Sequence, residues 1–111
     1  MTRARDLADG KFANDLTVDT NTLHVDATNN RVGIGTTSPA SAAGNALVVH
    51  DTSAPRIRLT SNTTGETATD GAEISLLTSA FVVENREASD TIFFNNGAER
   101  MRITSGGYLL H

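Results

Sequence analysis

From Leu16 onward, apolar and polar residues alternate with a period of two, which sends successive side chains to opposite faces of a β-strand. Leu16 and Val18 alternate with Thr17 and Asp19, Leu23 and Val25 with His24 and Asp26, and Val32 and Ile34 with Arg31, Gly33 and Gly35. Each set predicts a short strand with one apolar face. Thr20-Asn21 and Ala27-Thr28-Asn29-Asn30 lie between them and read as turns, because Asn tolerates left-handed backbone. The tetrads Leu16-Thr17-Val18-Asp19 and Leu23-His24-Val25-Asp26 form a small internal duplication and suggest stacked, near-identical rungs. Thr36-Thr37-Ser38-Pro39 closes the series, since Pro39 lacks a ladder donor and biases Ser38 away from helix.

A second series opens at Ala46-Leu47-Val48-Val49-His50. Arg56-Ile57-Arg58-Leu59-Thr60 then alternates, with Ile57 and Leu59 expected inward and the two arginines outward. Residues 61–71 form a polar loop without a bulky apolar side chain. Ala72, Ile74 and Leu76 share a face, as do Phe81 and Val83, and Ile92 with Phe94. Asn95-Asn96-Gly97 predicts a tight hairpin, because both central residues of a type I′ turn need positive φ. Met101 and Ile103 alternate with Arg100, Arg102 and Thr104, and Gly106-Gly107 leads into a last strand at Tyr108-Leu109-Leu110. The chain therefore reads as all-β, divided into an N-terminal arm (1–15), strand repeats (16–38), a linker (39–45) and a β-rich module (46–111). Helical character is confined to 6–12, where Gly10 limits its length.

Composition adds a constraint on how these strands are covered. Hydrophobic residues make up 38 % of the 111 residues, aromatics only 5 %, and Trp is missing. A compact monomer of this size needs bulkier side chains to offset the entropy of ordering its chain. Either much of the chain stays disordered, or identical copies share one core; the regular spacing of Val, Ile and Leu favours the shared core. The net charge of -4 argues against sequence-independent nucleic-acid binding. Absent cysteine excludes disulfides and thiolate zinc sites. No apolar run follows the basic start, so no secretory leader is expected, and no stretch is apolar enough for membrane insertion.

The candidate chemistry is sparse. Gly33-Ile34-Gly35 lacks the third glycine or the Gly-Lys-Ser/Thr that a phosphate loop requires, and reads as a turn. His24, Asp26, His50 and Asp51 are the one plausible metal set, and solvated strand faces are the simpler reading. Asp70, Glu73, Glu84, Glu87 and Asp90 sit in or beside polar turns with few aromatics to bind a sugar. No catalytic residue, metal site or cofactor is expected. Arg56, Arg58, Arg100 and Arg102 suit either an anionic cell surface or ion pairs with Glu73, Glu84 or Glu99 on neighbouring strands or chains; ion pairing is favoured.

The run Asn29-Asn30-Arg31-Val32-Gly33-Ile34-Gly35-Thr36-Thr37-Ser38-Pro39 resembles a signature of bacteriophage tail-fibre and related virion fibre proteins, of the marine-phage type. Leu47-Val48-Val49-His50 with Arg56-Ile57-Arg58-Leu59, and Gly97-Ala98-Glu99-Arg100-Met101-Arg102-Ile103, resemble later parts of the same unit. The resemblance implies a homotrimer in the virion, assembled in the bacterial cytoplasm: a short-stranded fibre stem, then a small β-sandwich-like or β-prism-like head. It implies other virion proteins as partners (tail, adaptor, baseplate or major capsid protein) and a host cell-surface receptor. The alternative is a trimeric capsid decoration or head-fibre protein, and a lectin-like or enzymatic module ranks third. Leu16, Val18, Leu23, Val25, Val32, Ile34, Ile57, Leu59, Met101 and Ile103 are expected in the trimer interior. Arg3, Arg5, Leu7 and Phe12 are expected to dock the arm on the particle. His111 falls where a further repeat would start.

Overall fold

The computed structural model describes residues 14–111, which form ten β-strands in three small sheets and no helix. The fold is all-β, as the alternation predicts. The expected arm, with Arg3, Arg5, Leu7 and Phe12, lies outside the described residues. Two compact units divide between Pro55 and Arg56.

The first unit holds one sheet of β1 (Leu16–Val18), β2 (Leu23–Asp26), β3 (Arg31–Ile34) and β4 (Ala46–Val49), in that order. The duplicated tetrads do not stack as rungs. They pair antiparallel, Leu16 with Val25 and Val18 with Leu23, because an apolar-polar-apolar pattern matches itself when reversed. The intervening turn places Asp19 and Thr20 at φ 47° and 31°. Asn21 has another use: its carbonyl accepts the Gly35 N–H at 2.8 Å.

The expected boundary at 39–45 is a correction. β4 pairs with β3, Val32 opposite Leu47 and Ile34 opposite Val49, so 46–49 belongs with the strands before Pro39. The pairing is parallel, and parallel neighbours need a long crossover. Residues 35–45 supply it, with Pro39 buried. Pro39 lies within the crossover, after β3 has ended at Ile34, and does not end the unit. Gly35 makes the junction possible: its φ is +79°, and a Cβ there would lie 2.0 Å from the His50 carbonyl oxygen. The His50 N–H in turn donates to the Ile34 carbonyl at 2.8 Å. The two glycines around Ile34 thus serve close backbone approach.

The second unit contains two antiparallel sheets. One has the order β5 (Arg56–Leu59), β6 (Ala72–Leu77), β7 (Ala80–Asn85); the other runs β10 (Leu109–Leu110), β9 (Ala98–Ile103), β8 (Thr91–Asn95). The β8–β9 hairpin turns on Asn96 at φ 52° and Gly97 at φ 73°, the pair of positive values a type I′ turn requires. A bulge follows: Phe93 faces Met101 but Phe94 faces Glu99, which leaves Arg100 as the extra residue. The polar loop between β5 and β6 is tied to itself. Ser61 bridges to Gly65, and the Asp70 carboxylate accepts the Thr67 N–H at 2.8 Å and hydroxyl at 2.9 Å.

The β6–β7 turn carries local strain. Thr78 sits at φ 56°, where its branched Cβ crowds the backbone. Thr78→Gly should therefore stabilise the unit by about 0.5–1 kcal/mol, the released strain exceeding the added flexibility of the unfolded chain. Urea unfolding of the two proteins side by side measures it; an unchanged or lowered midpoint contradicts the strain.

Candidate functional site

The sheets place the alternating side chains on faces, and antiparallel partners directly opposite share a face. Across the first sheet, Leu16, Val25, Val32 and Leu47 stand in one row. Val18 with Leu23, and Ile34 with Val49, flank that row on the same face. All six residues expected in the interior from this region therefore share one surface, together with Leu47 and Val49. In the second unit Ile57, Ile74 and Val83 form a row, with Leu59 and Ala72 on one side and Leu76 and Phe81 on the other. Met101 stands beside Phe93, and Ile103 between Thr91 and Leu109.

These faces are bare. Among the described residues no hydrophobic side chain is buried, and seventeen large ones are exposed. Leu59 is 72 % exposed and Phe81 71 %. Ile57 and Leu59, expected inward, thus face outward in the single chain. A lone three- or four-stranded sheet has no second layer to cover its apolar side.

What is buried is polar: His24, Glu73 and Ser75. Glu73 lies on the opposite face of β6, between Arg58 on β5 and Glu84 on β7. Its Oε1 accepts from Arg86 Nη2 at 2.9 Å and Arg56 Nη1 at 3.1 Å, and its Oε2 from Arg58 Nη2 at 3.1 Å. The Arg86 hydrogen bond, followed by Arg58 and the charge of Arg56, holds the Glu73 carboxyl below the usual carboxylate range. Glu73 raises Arg86 in return. Glu84 adds a contact to Arg86 at 3.1 Å. The ion pairing expected for Arg56 and Arg58 thus occurs within one chain, across neighbouring strands.

Arg102 pairs with both Glu99 and Asp90, and the Glu99 carboxyl is lowered by its hydrogen bond to Arg102. Asp90 also accepts the Ser105 N–H at 2.8 Å, and Glu87 the Gly71 N–H at 2.6 Å. Of the carboxylates weighed for catalysis, Asp70, Glu73, Glu87 and Asp90 each hold a strand or turn in place, while Glu84 pairs only with nearby Arg86. Arg86 escaped the sequence reading, and Asp90 entered it only as one acid among several, since nothing in a polar stretch marks one charge as an anchor. Phe81 and Val83 were legible as a pair, but not their place beside Leu76 and Ile74 of β6.

The weighed metal residues do not converge. His24 bonds Thr17 Oγ1 through Nδ1 at 2.7 Å and approaches Asp15 through Nε2 at 3.5 Å. The Asp26 carboxylate is held low by hydrogen bonds from the side chain and backbone of Asn29, and Asp51 by those from the Ala54 and Ser53 N–H groups. No group of three or more His, Cys, Asp or Glu gathers among the described residues. The most extensive feature the described residues present is this exposed apolar surface. No family model, no curated protein and no solved structure matches the chain.

Proposed function

We propose that the chain is a structural component of a bacteriophage virion: a segment of a homotrimeric tail fibre, attached through its N-terminal arm and contributing to host attachment. The observation that carries this reading is the set of bare sheet faces: among the described residues, seventeen large hydrophobics are exposed and none is buried. Each of these half-exposed Leu, Ile or Phe side chains covered by a neighbouring copy contributes on the order of 1 kcal/mol, a gain that one chain alone does not obtain. The phage assignment draws on the resemblance of 29–39, 47–59 and 97–103 to virion fibre repeats. Trp is absent, and Glu73, Asp90 and Glu99 are engaged in ion pairs with arginines, which suits a mechanical part better than a catalyst.

Electron microscopy of the particle with this protein labelled tests the proposal. Label on the tail is expected. Label distributed over the shell would replace the fibre by a trimeric decoration or head-fibre protein, and particles without label would reject both.

A further inference from the structure

The apolar face of the β5–β6–β7 sheet has relief. At one end lies a hollow of about 510 Å³, lined on its apolar side by Ile57, Leu59, Ala72, Ile74 and Val83. One row further along the same face stands Phe81, opposite Leu76 and outside the hollow. Its ring is 71 % exposed. We propose that this face is the contact between copies of the chain, with Phe81 of one copy seated in the hollow of the next. The inference rests on the self-assembling reading above and assigns its contact.

Four observations converge on a second copy as the occupant. Knob and hollow lie on one rigid sheet, so every copy supplies both and no copy can fill its own. A contact that uses a different patch on each partner is heterologous, and such contacts close into rings when the rotation allows. The area is also right. Ile57, Leu59, Ile74, Leu76, Phe81 and Val83 are 42–72 % exposed. That leaves roughly 600–700 Å² of apolar surface, above the largest patch of most monomers and near the share one partner gives to a stable interface. The opposite face is already occupied by Glu73 and its arginines, so a single side remains open. Finally, a unit with no buried hydrophobic residue needs its partner in order to fold, and a second copy is synthesised alongside it.

The chain has neither cysteine nor tryptophan, which makes two probes clean. Leu59 pairs with Ala72 and Phe81 with Leu76, four positions apart on β6. That separation, about 13 Å along the strand, is beyond the reach of a disulfide within one chain. A full-length Leu59→Cys/Phe81→Cys variant should form covalent oligomers under mild oxidation, while each single variant should not. Phe81→Trp, which keeps an aromatic knob, should show the blue-shifted emission of a shielded indole. Light scattering on the unmodified protein reads the assembly separately. A trimer whose double variant stays unlinked, with solvent-exposed Trp emission, overturns the Phe81 contact and leaves the trimer standing. Linking by Phe81→Cys alone places two knobs together and overturns the hollow as their seat. A monomer at micromolar concentration overturns the shared core and this contact together.

Discussion

Glu73→Gln should lower the melting midpoint of the second unit by on the order of 10 °C at neutral pH, more than any other single charge removal there. Glutamine keeps the shape and loses the charge. Arg56, Arg58 and Arg86 would then crowd one another, with Glu84 left as the nearest carboxylate and touching only Arg86. Breaking one member of a buried ionic cluster costs more than the cluster itself contributes, because Glu73 is the acceptor that Arg56, Arg58 and Arg86 share and their charges then repel one another at close range. Glu84→Gln is the control, since its side chain is 42 % exposed and holds a single pair. The pH dependence follows from the same group. Because the Arg86 hydrogen bond holds the folded carboxyl below its ordinary value of 4.5, the unfolded chain takes up the proton first as pH falls. Stability is therefore complete above the ordinary value and is lost as pH drops toward the folded one. Glu99, Asp26 and Asp51 are lowered too and act in the same direction. Thermal melts at a series of pH values should show acid sensitivity that is reduced in Glu73→Gln. Equal midpoints for the two proteins at pH 7 would reject the role given to this cluster.

Tenfold dilution should lower the melting midpoint of the unmodified protein by about 5 °C, the shift expected when three chains fold as one. A monomer with its own core melts at a temperature independent of concentration. This chain has no hydrophobic residue buried among those described, so under the proposed trimer its folding free energy comes largely from contacts between copies. Melts by circular dichroism across two decades of concentration decide it. A constant midpoint would mean that the bare faces are tolerated in water, and the trimer reading would fall.

Strand positions were legible because alternation is local. Leu16–Val18, Leu23–Asp26 and Arg31–Ile34 fall where the period-two pattern puts them, and Asn96-Gly97 turns as its composition demands. Three things were not legible, each for a physical reason. Alternation shows that the two faces of β5 differ, but not that the apolar one, with Ile57 and Leu59, is left bare within a single chain. Pairing across a crossover leaves no local trace, so β4 was placed in the wrong unit. The bulge at Arg100 shifts the register by one, which brings Phe93 beside Met101 while Phe94 faces Glu99. Glu73 was visible as one acid among several; its three guanidinium partners come from β5 and from beyond β7, and only the register gathers them.

Each sheet among the described residues ends in two strands with one open side, six in all: β1, β4, β5, β7, β8 and β10. Open sides are templates for stray pairing, and a chain that waits for its partners with bare faces is doubly exposed to it. None of the six exceeds six residues, and β10 has two. A wrong strand settling there gains few hydrogen bonds and no apolar cover. In the proposed trimer, a correct copy engages the face and its neighbouring edges in one step. Selectivity between assembly and aggregation thus comes from cooperativity: short edges keep every mistaken contact weak enough to reverse, and only the complete set is strong enough to last.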